Sequence, residues 1–340
     1  MAQGVTFEAQ LSRSSYKQYF LVSLIIATAL PTFAFILNYH VFGQTFSPVA
    51  FFLSIILIMS GAHVWLTLAY YLDKHWLSFF ATRPLIFFGG PAAIIAGTIL
   101  LIAGTPLVIG ATVMYAATFL NIWHHSKQNW GILAMVGKIR GSNIAALRVP
   151  VVWAWPFFMI PWAQFVPEVK AAIPGDILAN SAMASGLAYL VFFAYYLVKS
   201  GVLAKRDPSI LLFIAVIAAY FIPTAMFNSS YMLMAFPAAH ALQYYIIVLA
   251  SLALRERKKA RTVGILSSIA IASALLIGLT VTAWLVVKVS AGGNVWAEGP
   301  VRIGLGVLYG VNLLHFYLDA FIWKFSDKQV REQHGEAFAF

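Results

Sequence analysis

The segment VRIGLGVLYGVNLLHFYLDAFIWKF, residues Val301–Phe325, decides the fold class. A helix needs about 20 apolar residues to cross about 30 Å of hydrocarbon, and this segment is long and apolar enough. It also contains His315 and Asp319, which are four residues apart and so share one face of a helix. Ionisable groups at membrane depth are costly unless they find partners, so this pair is a functional-site hypothesis.

The composition of the whole chain is that of a membrane protein. Of its 340 residues, 61% are hydrophobic and 10% are charged, and the mean hydropathy is +0.84. We therefore predict an all-α, polytopic helical bundle. The absence of cysteine excludes disulfides, thiolate metal sites and cysteine nucleophiles. We interpret the net charge of +11 as a topological signal, and we expect no nucleic-acid partner.

About ten apolar segments reach roughly the length of a membrane span. They predict a cytoplasmic N-terminal segment over residues 1–18, one transmembrane domain over 19–325 and a cytoplasmic tail over 326–340. The segments are Tyr19–Phe42, Val49–Leu72, Pro84–Ala103, Pro106–Val136, Val149–Val166, Ile177–Leu203, Ser209–Phe227, Ser230–Leu254, Gly264–Val289 and Val301–Phe325.

Basic residues alternate between the two sides of this predicted bundle. Of the 22 Lys and Arg residues, 19 are assigned to the side of the tails and of the loops after even-numbered segments. Lys170, Lys288 and Arg302 are assigned to the opposite side. The positive-inside bias then places both termini in the cytoplasm. We expect an integral protein of the inner, cytoplasmic membrane of a bacterium.

Five histidines and one aspartate lie inside four apolar segments that all run from outside to inside. At about 1.5 Å per residue, three of the histidines lie roughly 15 to 21 Å deep and one about 27 Å deep, so they can share one layer. Imidazole and carboxylate groups together form a ligand set for Fe, Zn or Mn. The predicted metal ligands are His63, His124, His125, His240, His315 and Asp319.

Polar residues three or four positions away accompany these histidines. His63, for example, is followed by Thr67 and Tyr70. Supporting hydrogen bonds from such residues hold metal-bound imidazoles in one tautomer. The residues predicted for this role are Asn121, Gln128, Gln243, Tyr244 and Asn312. His124 and His125 point about 100° apart, so both reach one centre only if it is large or binuclear, or else one serves elsewhere.

The segment LHFYLDAFIWK, Leu314–Lys324, resembles the His-x-x-x-Asp element near the end of the Brp/Blh-type β-carotene dioxygenases. These are polytopic proteins thought to hold an intramembrane non-heme iron with histidines. The resemblance implies an iron oxygenase that acts on a polyene, with His315 as a ligand and Asp319 as the orienting or ligating carboxylate. The early Pro-His-Gly element of that family is not matched, because His63 follows Gly61-Ala62.

Three functional hypotheses follow from the polar layer. The first is a metal-dependent membrane oxidoreductase or oxygenase with one or two non-heme iron ions, acting on a lipid, isoprenoid or quinone from the bilayer. The second is a heme-binding redox protein linked to quinone. The third is a transporter or proton-coupled channel in which the same residues line a path. Membrane lipids and a hydrophobic small molecule are the expected partners, with a redox partner or a larger membrane complex as a further hypothesis.

Overall fold

A computed structural model describes residues 7–37, 62–163, 167–226, 230–256, 278, 299–324 and 326–330. All the regular secondary structure in these residues is helical, which confirms the predicted all-α fold. The ninth predicted segment, Gly264–Val289, lies outside the described residues except for Gly278. Residues 1–6 and 331–340 of the predicted tails lie outside them as well.

The chain forms two compact units, and each is discontinuous in sequence. The first unit comprises residues 1–48, 125–247 and 340, and the second comprises residues 49–124 and 248–339. The helices in chain order are α1 Phe7–Ile36, α2 Ala62–Leu66, α3 Ala69–Leu72, α4 Lys74–Ala81, α5 Gly90–Ala103, α6 Leu107–Arg140, α7 Arg148–Val152, α8 Trp155–Ala163, α9 Pro167–Ala172, α10 Gly175–Lys199, α11 Pro208–Met226, α12 Ser230–Glu256 and α13 Gly299–Ile322.

Five helical segments of the described chain are long and apolar enough to cross a membrane. They are Gln18–Ile36, Leu85–Ala103, Ala145–Ala163, Gly175–Lys199 and Gly299–Ile322. This finding is consistent with an integral membrane protein. The predicted number of about ten spans, the orientation of the termini and the single transmembrane domain stay predictions.

Helices α5 and α13 pack closely in the second unit because glycine replaces larger residues where their backbones meet. A Cβ atom on Gly306 would lie 2.8 Å from the Cα of Ile99, and one on Gly310 would lie 3.2 Å from the Cα of Ile95. Gly306 and Gly310 form a Gly-x-x-x-Gly pair, which lets membrane helices approach closely. This contact fixes α13, the helix that carries His315 and Asp319.

Polar clamps hold both ends of the α5 and α13 pair. At one end, the guanidinium of Arg302 donates to the Ile102 carbonyl at 2.6 and 2.9 Å and also to the carbonyl of Thr105. A cation at the last carbonyls of α5 also opposes the negative end of its dipole. At the other end, Arg83 pairs with Asp327 at 2.9 Å and lowers the pKa of that carboxyl below its usual 3.8.

Two predicted continuous helices are interrupted. In the second unit, α2 ends at Leu66 and α3 begins at Ala69, so Thr67 and Leu68 form a turn. In the first unit, a 3₁₀ turn, α7 and α8 replace the predicted helix Val149–Val166. Pro156 explains the second interruption, because it has no N–H to continue the helix from α7 and its ring would clash with the preceding turn.

Helix α10 packs against α8 and α11 in the core of the first unit, and α1 packs against α11. Aromatic rings fill this core, with Tyr220 stacked on Phe236 at 4.8 Å and Phe158 stacked on the other side of the same residue at 4.5 Å. Helix α10 ends with Lys199 in its last turn and Gly201 in the left-handed conformation at φ 65°, which is a common way to stop a helix.

Candidate metal centre

Four of the predicted ligands meet in the second unit, and we call them the His–Asp cluster: His63, His124, His315 and Asp319. His63 lies on α2 and His124 on α6, while His315 and Asp319 lie one turn apart on α13. All four side chains are buried, and His315 is fully buried at 0% exposure. The i, i+4 spacing on α13 therefore places its imidazole and carboxylate on the face that the other two helices cover.

The carboxylate of Asp319 lies between two imidazoles. Its Oδ2 atom is 3.5 Å from His124 Nε2 and 3.7 Å from His315 Nε2. These separations are long for hydrogen bonds. They are close to the separations of ligand atoms on a shared ion, which at about 2.0–2.2 Å from the metal are about 3.0 Å in octahedral and about 3.4 Å in tetrahedral geometry. One donor atom from each of the three residues lies within 4.8 Å of the other two.

A buried threonine orients the ring of His315. The hydroxyl oxygen of Thr67 lies 2.7 Å from His315 Nδ1, and Thr67 is only 1% exposed. In the tautomer whose Nδ1–H donates to Thr67, the Nε2 lone pair faces Asp319 Oδ2 and suits a metal ion. The turn between α2 and α3 places Thr67 for this contact.

A tryptophan fixes the other oxygen of the carboxylate. Trp323 Nε1 donates to Asp319 Oδ1 at 3.1 Å, which directs Oδ2 towards the histidines. Ligating carboxylates commonly have such a hydrogen bond on their second oxygen. Both the imidazole of His315 and the carboxylate of Asp319 are thus held in defined orientations.

The remaining rings enclose the cluster. His63 packs edge-on against His315 at a centroid distance of 5.0 Å, and His124 packs against His315 at 5.2 Å. Phe316 stacks on His124 at 4.4 Å. The ring of His63 therefore lies directly beside the imidazole of His315.

Charge balance also favours a cation within the cluster. An ionised carboxylate in a buried site is expensive unless a positive charge compensates it. The imidazoles of His124 and His315 lie beside Asp319 Oδ2, so a proton on a ring or a bound metal ion can supply the compensating charge. The cluster has the donor set for either one.

The first unit contains a polar network around Gln243 of α12. Its amide nitrogen donates to Thr28 Oγ1 at 2.7 Å and to Asn129 Oδ1 at 3.2 Å, and its carbonyl oxygen accepts from Gln128 at 3.2 Å. Gln128 also donates to the backbone carbonyl of His240 at 3.3 Å. This network satisfies every group of the Gln243 amide within a buried site.

Two histidines of the first unit lie beside this network. The rings of His125 and His240 are 3.9 Å apart between centroids and tilted by 32°, and Phe236 packs on His125 at 4.7 Å. Asn129 donates to the carbonyl of His125 at 3.1 Å. The sequence predicts one centre shared by all five histidines. The contacts within each unit do not test that centre, and it stays a prediction.

The predicted supporting residues divide between the two units. Gln128, Gln243 and Tyr244 lie in the first unit, whereas Asn121 and Asn312 lie in the second unit and are partly buried. The sequence marked Thr67 only as a polar neighbour of His63, and its bond to His315 was missed. Trp323 was missed too, although its position four residues after Asp319 on the same helical face was the available signal.

Comparisons with protein-family models, with curated proteins and with solved structures found no match to this chain. The chemistry of the candidate centre is therefore inferred from its own residues.

Proposed function

We propose that this protein is a metal-dependent membrane oxidoreductase, an oxygenase with non-heme iron at the His–Asp cluster, that acts on a lipid-soluble substrate. The observation that carries the proposal is the convergence of His124, His315 and Asp319 within 4.8 Å. Two histidines and one carboxylate on one side of an ion form the facial triad of non-heme ferrous oxygenases, which leaves coordination positions open.

The chain's own residues supply orientation and charge. Asp319 provides a negative charge that stabilises a divalent ion, while Thr67 and Trp323 hold His315 and the carboxylate in place. His63 is the candidate for a further ligand. A bound ferrous ion would supply the one-electron and oxygen chemistry.

The burial of the cluster indicates the substrate class. The four residues are at most 9% exposed and lie on helices of a chain with five candidate membrane spans. A substrate that dissolves in the bilayer reaches such a site without crossing the aqueous phase. An isoprenoid, a lipid or a quinone fits this requirement better than a sugar or a peptide.

Elemental analysis of the purified protein, together with its visible spectrum, tests the proposal. We expect about one or two iron ions per chain and no heme Soret band. We also expect an EPR signal of a high-spin ferrous–nitrosyl complex when nitric oxide is added to the reduced protein. His315→Ala and Asp319→Asn should lose the iron and the signal together. His334→Ala, at a position outside the described residues, is the control and should keep both.

The alternatives give different results in the same samples. A Soret band would replace the proposal with the heme hypothesis. The stoichiometric absence of any metal would end it in favour of a polar path for transport. Iron that stays at full occupancy in His315→Ala would show that the assigned ligands are wrong. Iron that is also lost in His240→Ala would support the single centre predicted from sequence.

A further inference from the structure

The second unit has an apolar groove next to the His–Asp cluster. It has a volume of about 490 Å³ and is open along one side, and this volume falls within the range of small-molecule sites, roughly 300–1,000 Å³. The described residues that line it belong to helices α5, α6 and α13. Its lining includes Ala93, Gly97, Leu101, Leu120, Trp123 and Phe316.

One aromatic ring separates this groove from the cluster. Phe316 lines the groove and also stacks on the imidazole of His124 at 4.4 Å and 25°. Trp123, the residue before His124, lines the same groove and is 40% exposed. A ligand in the groove would therefore lie against the ring that packs on a proposed metal ligand.

The groove is formed largely by helices that are candidates to cross a membrane. Two of its walls, α5 and α13, belong to candidate membrane spans. Phe316 lies roughly 25 Å from the beginning of α13 and about 9 Å from its end, at 1.5 Å per residue. The described lining is mostly apolar, and the hydroxyl of its buried Thr98 donates to the Ile94 carbonyl of the same helix at 2.7 Å.

The structure assigns this groove as a binding site for the acyl chain of a membrane phospholipid, whose mid-chain carbons lie against Phe316 beside His124. This inference rests on the proposed function and narrows its substrate class to fatty-acyl chains. Acyl chains form the hydrocarbon that surrounds membrane-spanning helices, and the described residues that line the groove include no charged side chain that would bind a headgroup. Apolar contact along the chain supplies the affinity.

Gly97 gives a direct way to fill the groove. A Cβ atom on Gly97 would meet nothing within 4 Å, so a larger side chain there extends into the groove without disturbing the helices. Gly131 of α6 is a matched control, because it is an exposed helical glycine with the same open surroundings and does not line the groove. Ala93→Trp is a second filling variant at an exposed lining position.

Photolabelling in lipid nanodiscs tests the assignment. The probe is a phosphatidylcholine with a diazirine at the middle of one acyl chain, and its cross-links are mapped by mass spectrometry. We expect labelled peptides from α5, α6 and α13 that include groove residues. Gly97→Trp and Ala93→Trp should lower this labelling at least about tenfold, the factor expected from two methylene groups fewer in contact. Gly131→Trp should leave it unchanged.

Each other outcome is informative. Labelling that Gly97→Trp and Ala93→Trp do not reduce would reveal only surrounding lipid and would overturn the assignment. Stronger labelling by a geranylgeranyl diazirine probe at the same peptides would overturn the choice of an acyl chain. Metal content is measured on the same samples, so wild-type protein that labels in the groove but holds no metal would refute the proposed function and leave the lipid site supported.

Discussion

Replacing Thr67 with valine removes one buried hydroxyl and keeps the shape of the side chain. The structure gives the expected size of the effect, because that hydroxyl lies 2.7 Å from His315 Nδ1 and Thr67 is 1% exposed. Water cannot readily replace it. A buried polar atom left without its partner costs about 1–3 kcal/mol.

Part of this cost also affects the metal-free protein, in which the ring can reorient. The metal-bound state requires His315 Nε2 to face Asp319 Oδ2. The lost hydrogen bond therefore destabilises the metal-bound state more than the metal-free one. We therefore expect Thr67→Val to weaken metal binding about tenfold, which corresponds to about 1.4 kcal/mol. Losing a residue that orients a ligand commonly costs 10–100-fold. Thr67→Ser, which keeps a hydroxyl, should recover most of the affinity.

The assay is an anaerobic competition between the detergent-solubilised protein and a ferrous chelator, with thermal unfolding measured in parallel. Thr98→Val is the matched control, because Thr98 is also buried and in the second unit but its hydroxyl bonds to its own helix. If Thr67→Val and Thr98→Val bind iron equally well, Thr67 does not orient His315 and the proposed tautomer is wrong.

Three further changes probe the centre and the packing around it. Asp319→Asn keeps the shape of the side chain but removes the only carboxylate of the cluster, so iron occupancy by elemental analysis should fall below about a tenth of the wild-type value; full occupancy would refute its role as a ligand. Gly306→Leu places a Cβ atom 2.8 Å from the backbone of α5, whereas carbon atoms prefer separations of about 3.5–4.0 Å. Denaturant unfolding should therefore show a loss of about 1–3 kcal/mol in the free energy of unfolding. Gly97→Leu, in open surroundings, should show no such loss. Asp327→Asn removes a partly exposed carboxylate whose pKa Arg83 lowers below 3.8. A carboxylate whose pKa is lower in the folded state stabilises the protein at pH values above its unfolded-state pKa. This stabilisation is lost as the pH falls through the folded-state pKa. The difference in Tm between wild type and Asp327→Asn should therefore be constant near neutral pH, shrink below about pH 4 and shrink with added salt; a difference that persists at pH 2 would contradict it.

The helical character of the chain was predictable because it depends on local sequence. Apolar runs long enough to cross a bilayer must form helices, since no water is present to satisfy the backbone. The helical segments Leu85–Ala103, Gly175–Lys199 and Gly299–Ile322 follow this rule and lie within about four residues of their predicted bounds. How many segments cross the membrane depends on more than composition, and the predicted ten spans remain to be tested.

The pairing of residues in the cluster was predictable in part. His315 and Asp319 are adjacent on one helix by spacing alone. Their proximity to His124 and His63 was expected from depth and helical phase, and the structure does place all four together. The role of these residues as metal ligands stays a prediction.

Other features of the site depend on tertiary packing and have no local signal. The turn at Thr67 interrupts an apolar segment without a proline or glycine at the break. Non-helical backbone is tolerated at membrane depth only where protein or a cavity surrounds it, so the packing of α2 against α13 permits the turn. Likewise, no local pattern connects Gln243 with Thr28, because they lie 215 residues apart.

The hydrogen bond between Thr67 and His315 also sets the order in which the centre is made. The two residues are 248 positions apart in the chain, and synthesis at about 5–20 residues per second separates their appearance by roughly 12 to 50 s. The ribosome thus synthesises His63 and His124 well before Asp319. A metal ion held by the whole cluster is therefore loaded after α13 has been synthesised, so nascent chains truncated before α13 should not retain it.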